Sequence, residues 1–98
     1  MDKPIPLQWR PQAHADLLEI LEYIAEDDLD AADALQREID EKTAALTLHP
    51  KLYKLSSRVP GMRELVVRPN YVVFYRESAQ LVEIVNVVHA RRQWPPIR

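Results

Sequence analysis

The sequence contains no cysteine and a single glycine, Gly61, and these two shortages exclude several kinds of site. Without cysteine, the chain has neither a disulfide framework nor a thiolate metal site. One glycine is too few for the glycine-rich loop that cradles the phosphates of a nucleotide. The three histidines, His14, His49 and His89, are scattered without the spacing of metal ligands. The sequence therefore predicts that the protein uses neither a metal nor another cofactor.

Long apolar runs are missing as well. Nowhere do about 18 apolar residues follow one another, as a membrane-spanning helix requires. Residues 1–7 contain one lysine and no apolar run of signal-peptide length. We therefore expect a cytoplasmic protein without a membrane partner. A length of 98 residues suffices for one two-layer core, so we expect a single domain over residues 1–98.

What the chain does have is a strong asymmetry of charge. Residues 1–50 carry four basic and twelve acidic side chains, a net charge of −8, whereas residues 51–98 carry nine basic and three acidic ones, a net charge of +6. The acidic half has helical periodicity and the basic half is typical of strands. We expect an acidic helical layer on a sheet whose other side presents arginines. Such a surface suits an anionic partner, either nucleic acid or an acidic protein segment.

The first half predicts one short strand and two helices. Residues 5–9 alternate apolar residues with polar ones or proline, which favours an edge or entry strand. Apolar residues then recur at helical spacing over residues 11–25. A second helix is expected to begin at an N-cap, Asp30 or Asp28, and to end before Pro50. The short connection predicts an antiparallel helical hairpin.

The second half predicts a loop and three consecutive antiparallel strands. Residues 51–61 show no periodicity and are expected to form a loop anchored by its apolar side chains. Strands are expected at residues 62–68, 71–75 and 81–88, where β-branched and aromatic residues are dense. The fold class is therefore α+β: an N-terminal strand and a helical hairpin packed on an antiparallel sheet of about four strands.

The last strand is apolar on both sides. Regular alternation divides its residues into two sets, Val82, Ile84 and Val88 on one face and Leu81, Val85 and Val87 on the other. This pattern predicts a central strand that is covered on both faces. The helices cover one face. For the other we expect the loop, the C-terminal tail or another protein, and we favour a contribution from another protein.

Six short motifs follow one another along these elements. They are Ala-Asp-Leu at 15–17, Tyr-Ile-Ala at 23–25, His-Pro at 49–50, Met-Arg-Glu-Leu-Val at 62–66, Pro-Asn-Tyr-Val-Val-Phe-Tyr-Arg at 69–76 and Ile-Val-Asn-Val-Val-His-Ala-Arg-Arg-Gln-Trp-Pro at 84–95. In this order and spacing the chain resembles, over nearly its whole length, the RelE/ParE superfamily of toxins from bacterial type II toxin-antitoxin operons. Its tail is similar to the ParE branch.

The resemblance implies one of two activities. RelE-type members cut messenger RNA in the ribosomal A site, whereas ParE-type members lack the RelE residues and poison DNA gyrase. In this chain Val72 and Ile97 stand where RelE-type toxins have an arginine and a tyrosine, and only Arg91 matches. We therefore predict a ParE-like toxin that inhibits DNA replication by binding gyrase. A RelE-like ribonuclease using His89, Arg91 and Arg63 is the alternative, and a degenerate, non-toxic antitoxin partner is a further one.

The resemblance also implies a cognate antitoxin whose C-terminal segment is disordered alone and folds on this chain. Operator DNA is expected to be bound only through that antitoxin, and the ribosome with its messenger RNA is a partner only in the RelE-like case. The predicted antitoxin-binding residues are Leu17, Leu21, Ile24, Leu35, Ile39, Tyr53 and Leu55. The predicted target-binding residues are Arg63, Arg68, Arg76, His89, Arg91, Arg92 and Trp94.

Some of these residues also have an alternative, purely structural interpretation. Arg63 alternates with Glu64 on a strand, so it is also expected to be able to pair with a cross-strand carboxylate such as Glu83. His89, at the end of an apolar strand, is suited to a structural hydrogen bond. Tyr71 and Tyr75 share a strand face and are expected in the core.

Overall fold

The computed structural model describes residues 3–90 of the chain. Its elements, in chain order, are β1 (Leu7–Trp9), α1 (Pro11–Ala25), α2 (Leu29–Ala44), a 3-10 turn (Ala45–Thr47), β2 (Arg63–Val67), β3 (Tyr71–Glu77) and β4 (Val82–His89). The order of helices and strands is the one that the apolar patterns predict. Within residues 3–90, no helix combines the length and the apolar character needed to cross a membrane.

Local sequence signals set the ends of the helical hairpin. Pro11 begins α1, where its fixed φ and missing N–H cost nothing. Of the two candidate N-caps for α2, the structure uses Asp28, whose carboxylate accepts a hydrogen bond from the backbone N–H of Ala31 at 3.1 Å. Asp30 lies in the first turn and Lys42 in the last, where each charge complements the helix dipole.

The four strands form one mixed sheet in the order β1-β4-β3-β2. The pairings of β2 with β3 and of β3 with β4 are antiparallel, as predicted. Strand β1 runs parallel to β4, so the expectation of a wholly antiparallel sheet is corrected for this strand. Alternation within three residues predicts a strand but not its direction. That direction depends on how the long helical connection returns the chain to the sheet.

A β-bulge interrupts the pairing of β3 with β4. Phe74 pairs with Asn86 and Tyr75 pairs with Ile84, which leaves Val85 without an opposite residue. Because the bulge inserts one extra residue, each residue of β4 after it points to the face opposite the one that regular alternation would give it.

The bulge decides which valines face the helices. Val87 lies with Val82 and Ile84 in the core beneath the helices, while Val88 packs on the opposite side of the sheet. The prediction had assigned Val88 to the face of Val82 and Ile84, and Val87 to the other. It was wrong for these two residues because it assumed regular alternation to the end of the strand.

The sheet is covered on both faces by the chain itself, to different extents. The main core lies between the helices and the sheet, and its largest fully buried side chains include Tyr75, Leu35 and Ile39. A smaller cluster on the second face consists of Val72, Phe74 and Val88, packed by Val59, Met62 and Ala90. Through Val59, the loop over residues 51–61 thus helps to cover the second face of the sheet. This loop was one of the three covers expected from the sequence.

Candidate functional site

The three predicted target-binding arginines that the structure describes are engaged in ion pairs within the chain. The pairs are Arg63–Glu77 at 3.2 Å, Arg68–Glu38 at 2.9 Å and Arg76–Glu83 at 2.7 Å. Each of these cations therefore has an anionic neighbour, although Arg68 shares Glu38 with Lys42. The arginines were expected on the side of the sheet away from the helices, and of these three only Arg76 lies there, on the face of Phe74. Arg63 shares the helix-facing side with Leu65, and Arg68 reaches α2.

The partner of Arg63 differs from the predicted one. Its guanidinium pairs with Glu77 on β3, and Glu83 on β4 binds Arg76 instead. Arg63 stands opposite Tyr75, so Glu77 is its diagonal cross-strand neighbour, whereas Glu83 lies one strand further away. Arg63 also donates from Nη1 to the backbone oxygen of Tyr53 at 2.8 Å. It therefore holds the loop against the sheet.

A polar cluster that the sequence did not reveal lies on the second face. Ser56 Oγ donates to Glu64 at 2.5 Å and accepts from the backbone N–H groups of Arg58 and Val59. The guanidinium of Arg58 lies 3.4 Å from Glu64 and 5.3 Å from the centre of the Phe74 ring. Burial raises the pKa of Glu64, but hydrogen bonds from Ser56 and Arg58 outweigh burial and hold this pKa below its usual value.

This lowered pKa predicts an acid-sensitive contribution to stability. A carboxylate with a depressed folded-state pKa stabilises the fold above its unfolded pKa, and the effect is lost as the pH falls through the folded value. We expect Glu64→Gln to lower the free energy of unfolding at pH 7, and the difference from the wild type to shrink below about pH 4.5. Urea unfolding at pH 7, 5, 4 and 3 measures it. Exposed Glu41 supplies the control Glu41→Gln, and a difference that is the same at every pH would contradict the prediction.

His89 is far from Arg63. It closes β4 opposite Tyr71 and contacts that ring edge-on, with the ring centres 5.3 Å apart. Arg63 stands opposite Tyr75, four residues along β3, so the two positions are separated by about 13 Å of strand. The structure does not bring these two members of the alternative ribonuclease set together. Arg91, the third member, lies outside the described residues.

Two other members of the predicted target surface, Arg92 and Trp94, also lie outside the described residues. Val72 is described, and it is buried against Phe74 and Val88. No charged side chain therefore occupies the position where the resemblance places a RelE arginine.

Three predicted antitoxin contacts are core residues instead. Leu17, Leu35 and Ile39 are 7%, 0% and 0% exposed, so a partner on the folded surface does not touch them. The apolar stripe of each helix faces the sheet of its own chain, and the prediction mistook this stripe for a partner surface. Leu21, Ile24 and Tyr53 are partly buried against the same core, while Leu55 is 60% exposed.

The exposed large apolar side chains of residues 3–90 form two groups. Leu18, Tyr23 and Leu29 lie on the helical hairpin, whereas Leu48 follows the 3-10 turn, Leu52 and Leu55 lie on the loop, and Val66 lies on β2. Of these, the predicted antitoxin-binding residues include only Leu55. On the helices these are the apolar residues that do not share the helical spacing of the core-facing residues. This departure from the spacing is the sequence signal that identifies them.

Strand β2 is an edge strand that the loop covers only in part. The backbone N–H of Glu64 donates outward to Lys54 at 3.1 Å, and that of Ser56 donates to Met62. Alternate residues point the same way, so the backbone groups of Val66 also point away from β3. Within residues 3–90 no backbone hydrogen bond reaches Val66 from that side. The end of β2 is therefore open to a further strand.

Comparison with known proteins places these features in a family context. The family model described as "ParE toxin of type II toxin-antitoxin system, parDE" matches residues 7–94. Y4kP of Sinorhizobium fredii is 37% identical over 92 residues, 93% of this chain and 94% of that protein. Toxin RelE2 of Caulobacter vibrioides is 34% identical over 84 residues, 86% of this chain and 93% of that protein.

Solved structures share the fold. A chain of the chromosomal ParDE toxin-antitoxin system from P. aeruginosa superimposes with a TM-score of 0.74 at 23% identity, covering 89% of this chain and 97% of that one. A chain of the RelBE2 toxin-antitoxin complex of Mycobacterium tuberculosis gives a TM-score of 0.56 at 20% identity, covering 91% and 97%.

Proposed function

Because this chain belongs to the ParE toxin family of type II toxin-antitoxin systems, we propose that it arrests growth by binding DNA gyrase and that a cognate antitoxin neutralises it. The solved neighbours come from toxin-antitoxin systems, which supports an antitoxin partner. We favour gyrase over messenger RNA as the target because the predicted target-binding arginines on the described part of the chain are held in ion pairs.

The engagement of the arginines favours binding over RNA cleavage. Cleavage needs a base, an acid and a cation that all reach the same reacting phosphate. Arg63, Arg68 and Arg76 are each held by a carboxylate, and Arg63 is remote from His89. Binding of a protein partner does not need a free catalytic cation, because the partner's own charged groups replace the surface ion pairs when the complex forms. Ion pairs of this kind are therefore compatible with a protein target.

The order in which cellular syntheses stop tests this proposal. We expect a short induction of the chain without antitoxin to stop thymidine incorporation first, while methionine incorporation continues. In vitro, the purified chain should inhibit supercoiling of relaxed plasmid by gyrase, and Arg91→Ala/Arg92→Ala should weaken the inhibition more than the control Arg37→Ala on the exposed side of α2. An early collapse of methionine incorporation, with cut messages, would instead identify a RelE-like ribonuclease. Normal growth on induction would identify a degenerate toxin.

We also propose where the antitoxin binds. The open end of β2 offers unpaired backbone groups at Val66, and the exposed side chains of Leu52 and Leu55 lie on the loop beside it. An extended segment that adds a strand there gains backbone hydrogen bonds and apolar contacts together. Lys51 and Lys54 are exposed on the same loop and bear no ion pair within residues 3–90. The segment is therefore expected to be extended, apolar at alternate positions and acidic.

A further inference from the structure

A small cavity lies on the other side of the molecule, between α1 and the end of β4. Its volume is about 310 Å³. Three aromatic rings, those of Tyr23, Tyr71 and His89, and two carboxylates, those of Asp16 and Glu19, line it. We call it the α1–β4 pocket. It is separate from the open edge of β2, because β4 and β2 are on opposite sides of β3.

Among residues 3–90, the groups that donate hydrogen bonds to the Asp16 carboxylate in the wall of this pocket are all neutral. Its Oδ2 accepts hydrogen bonds from the side-chain amide of Asn86 at 2.9 Å and from the backbone N–H of Val87 at 3.0 Å, and its Oδ1 accepts from Gln12 at 2.8 Å. These bonds hold the carboxylate in place and close the edge of β4 beyond the short strand β1. No basic side chain within residues 3–90 forms an ion pair with Asp16 or Glu19.

The aromatic rings complement this charge. Tyr71 and His89 meet edge to face at an interplanar angle of 80°, which fixes both rings in the wall. Tyr23 stands at the mouth and is 75% exposed. The face of a tyrosine ring carries the negative part of the ring quadrupole and attracts a cation. A carboxylate held in place at Asp16, a second carboxylate at Glu19 and aromatic rings around one cavity are a combination that recognises an organic cation.

We propose that the α1–β4 pocket binds the guanidinium group of an arginine carried by a protein partner. Guanidinium is planar, so it stacks on a tyrosine ring while its N–H groups bond to a carboxylate in a fork, which a lysine ammonium does not do. Glu22 and Glu26 continue the acidic face along α1 from Glu19 and line the adjacent groove with Tyr23. The residues that flank such an arginine in a basic partner segment would therefore also meet acidic side chains next to the pocket. The proposal does not depend on which target the toxin has.

A titration with a minimal probe tests the proposal. We would add N-acetyl-arginine-methylamide to the purified, isotope-labelled full chain and follow its NMR spectrum. We expect shifts at Tyr23, Tyr71 and His89. The citrulline analogue, equal in shape but uncharged, should bind at least tenfold more weakly. Tyr23→Ala removes an exposed ring and spares the core, and it should weaken arginine binding about threefold to fivefold.

Each other outcome overturns the assignment in a defined way. Equal binding of the arginine and citrulline probes would show that the pocket recognises shape and apolar surface without recognising charge. The absence of any spectral shift at about 20 mM probe, a concentration that reveals even weak millimolar binding, would exclude a binding site here. Probe binding that occurs only in Arg91→Ala/Arg92→Ala would mean that the chain's own tail is the occupant. Dissociation of a self-associated form by the probe would mean a second copy. Glu41→Gln, outside the pocket, is the control and should bind as the wild type does.

Discussion

Replacing Leu35 by alanine is expected to lower the free energy of unfolding by about 2–5 kcal/mol. Leu35 is fully buried on α2 and belongs to the core between the helices and the sheet. Truncation removes apolar contacts and leaves a cavity that close-packed neighbours fill only in part. Urea unfolding followed by circular dichroism measures the change. In a small protein this loss is a large share of the total stability.

Leu55 provides a matched leucine at the surface. It is 60% exposed, so Leu55→Ala should change the free energy of unfolding by no more than about 0.5 kcal/mol. If the antitoxin binds along the loop and β2, the same substitution should weaken the complex. Equal destabilisation by Leu35→Ala and Leu55→Ala would contradict the separation of core from partner surface.

Proline in place of Val66 is expected to weaken antitoxin binding about tenfold to a hundredfold. The N–H of Val66 points away from β3, so proline there removes no hydrogen bond of the β2–β3 ladder. It does remove a donor that an added strand needs, and its ring obstructs the approach of that strand. Isothermal titration of the variant with the antitoxin's C-terminal segment gives the affinity.

The control for this substitution is Val66→Thr, which keeps the N–H and the β-branched shape. It should bind the antitoxin nearly as well as the wild type, and both variants should keep the β2–β3 pairing, checked by amide hydrogen exchange at Leu65 and Val67. Unchanged affinity of Val66→Pro would exclude strand addition at this edge. In cells, Val66→Pro should remain toxic when the antitoxin is co-expressed.

Local patterns predicted the helices and strands well because they depend on nearby residues. Pro11 and Ala25 bound α1 where the apolar period begins and ends. The second helix starts after one of the two predicted aspartate caps. Such features follow from spacing, capping and proline geometry, which the sequence displays directly.

The candidate site was less predictable, because its side chains come together only through the sheet. The partner of Arg63 depends on strand register, and the faces of Val87 and Val88 depend on a bulge opposite Phe74 and Tyr75. A sequence shows neither register nor bulge. The division of apolar residues into core and partner surface fails for the same reason, since Leu35 and Leu55 differ only in what the fold places around them.

The sequence by itself determined the element order, the charge asymmetry and the absence of thiolate sites, since these depend on composition and on contacts a few residues apart. Only the tertiary structure decided three other matters. It paired β1 parallel to β4, it compensated the arginines of the sheet with carboxylates, and it left Asp16 among neutral donors beside aromatic rings. Each of these joins residues from separate elements. Their distance is set by packing of the whole chain and not by any local preference.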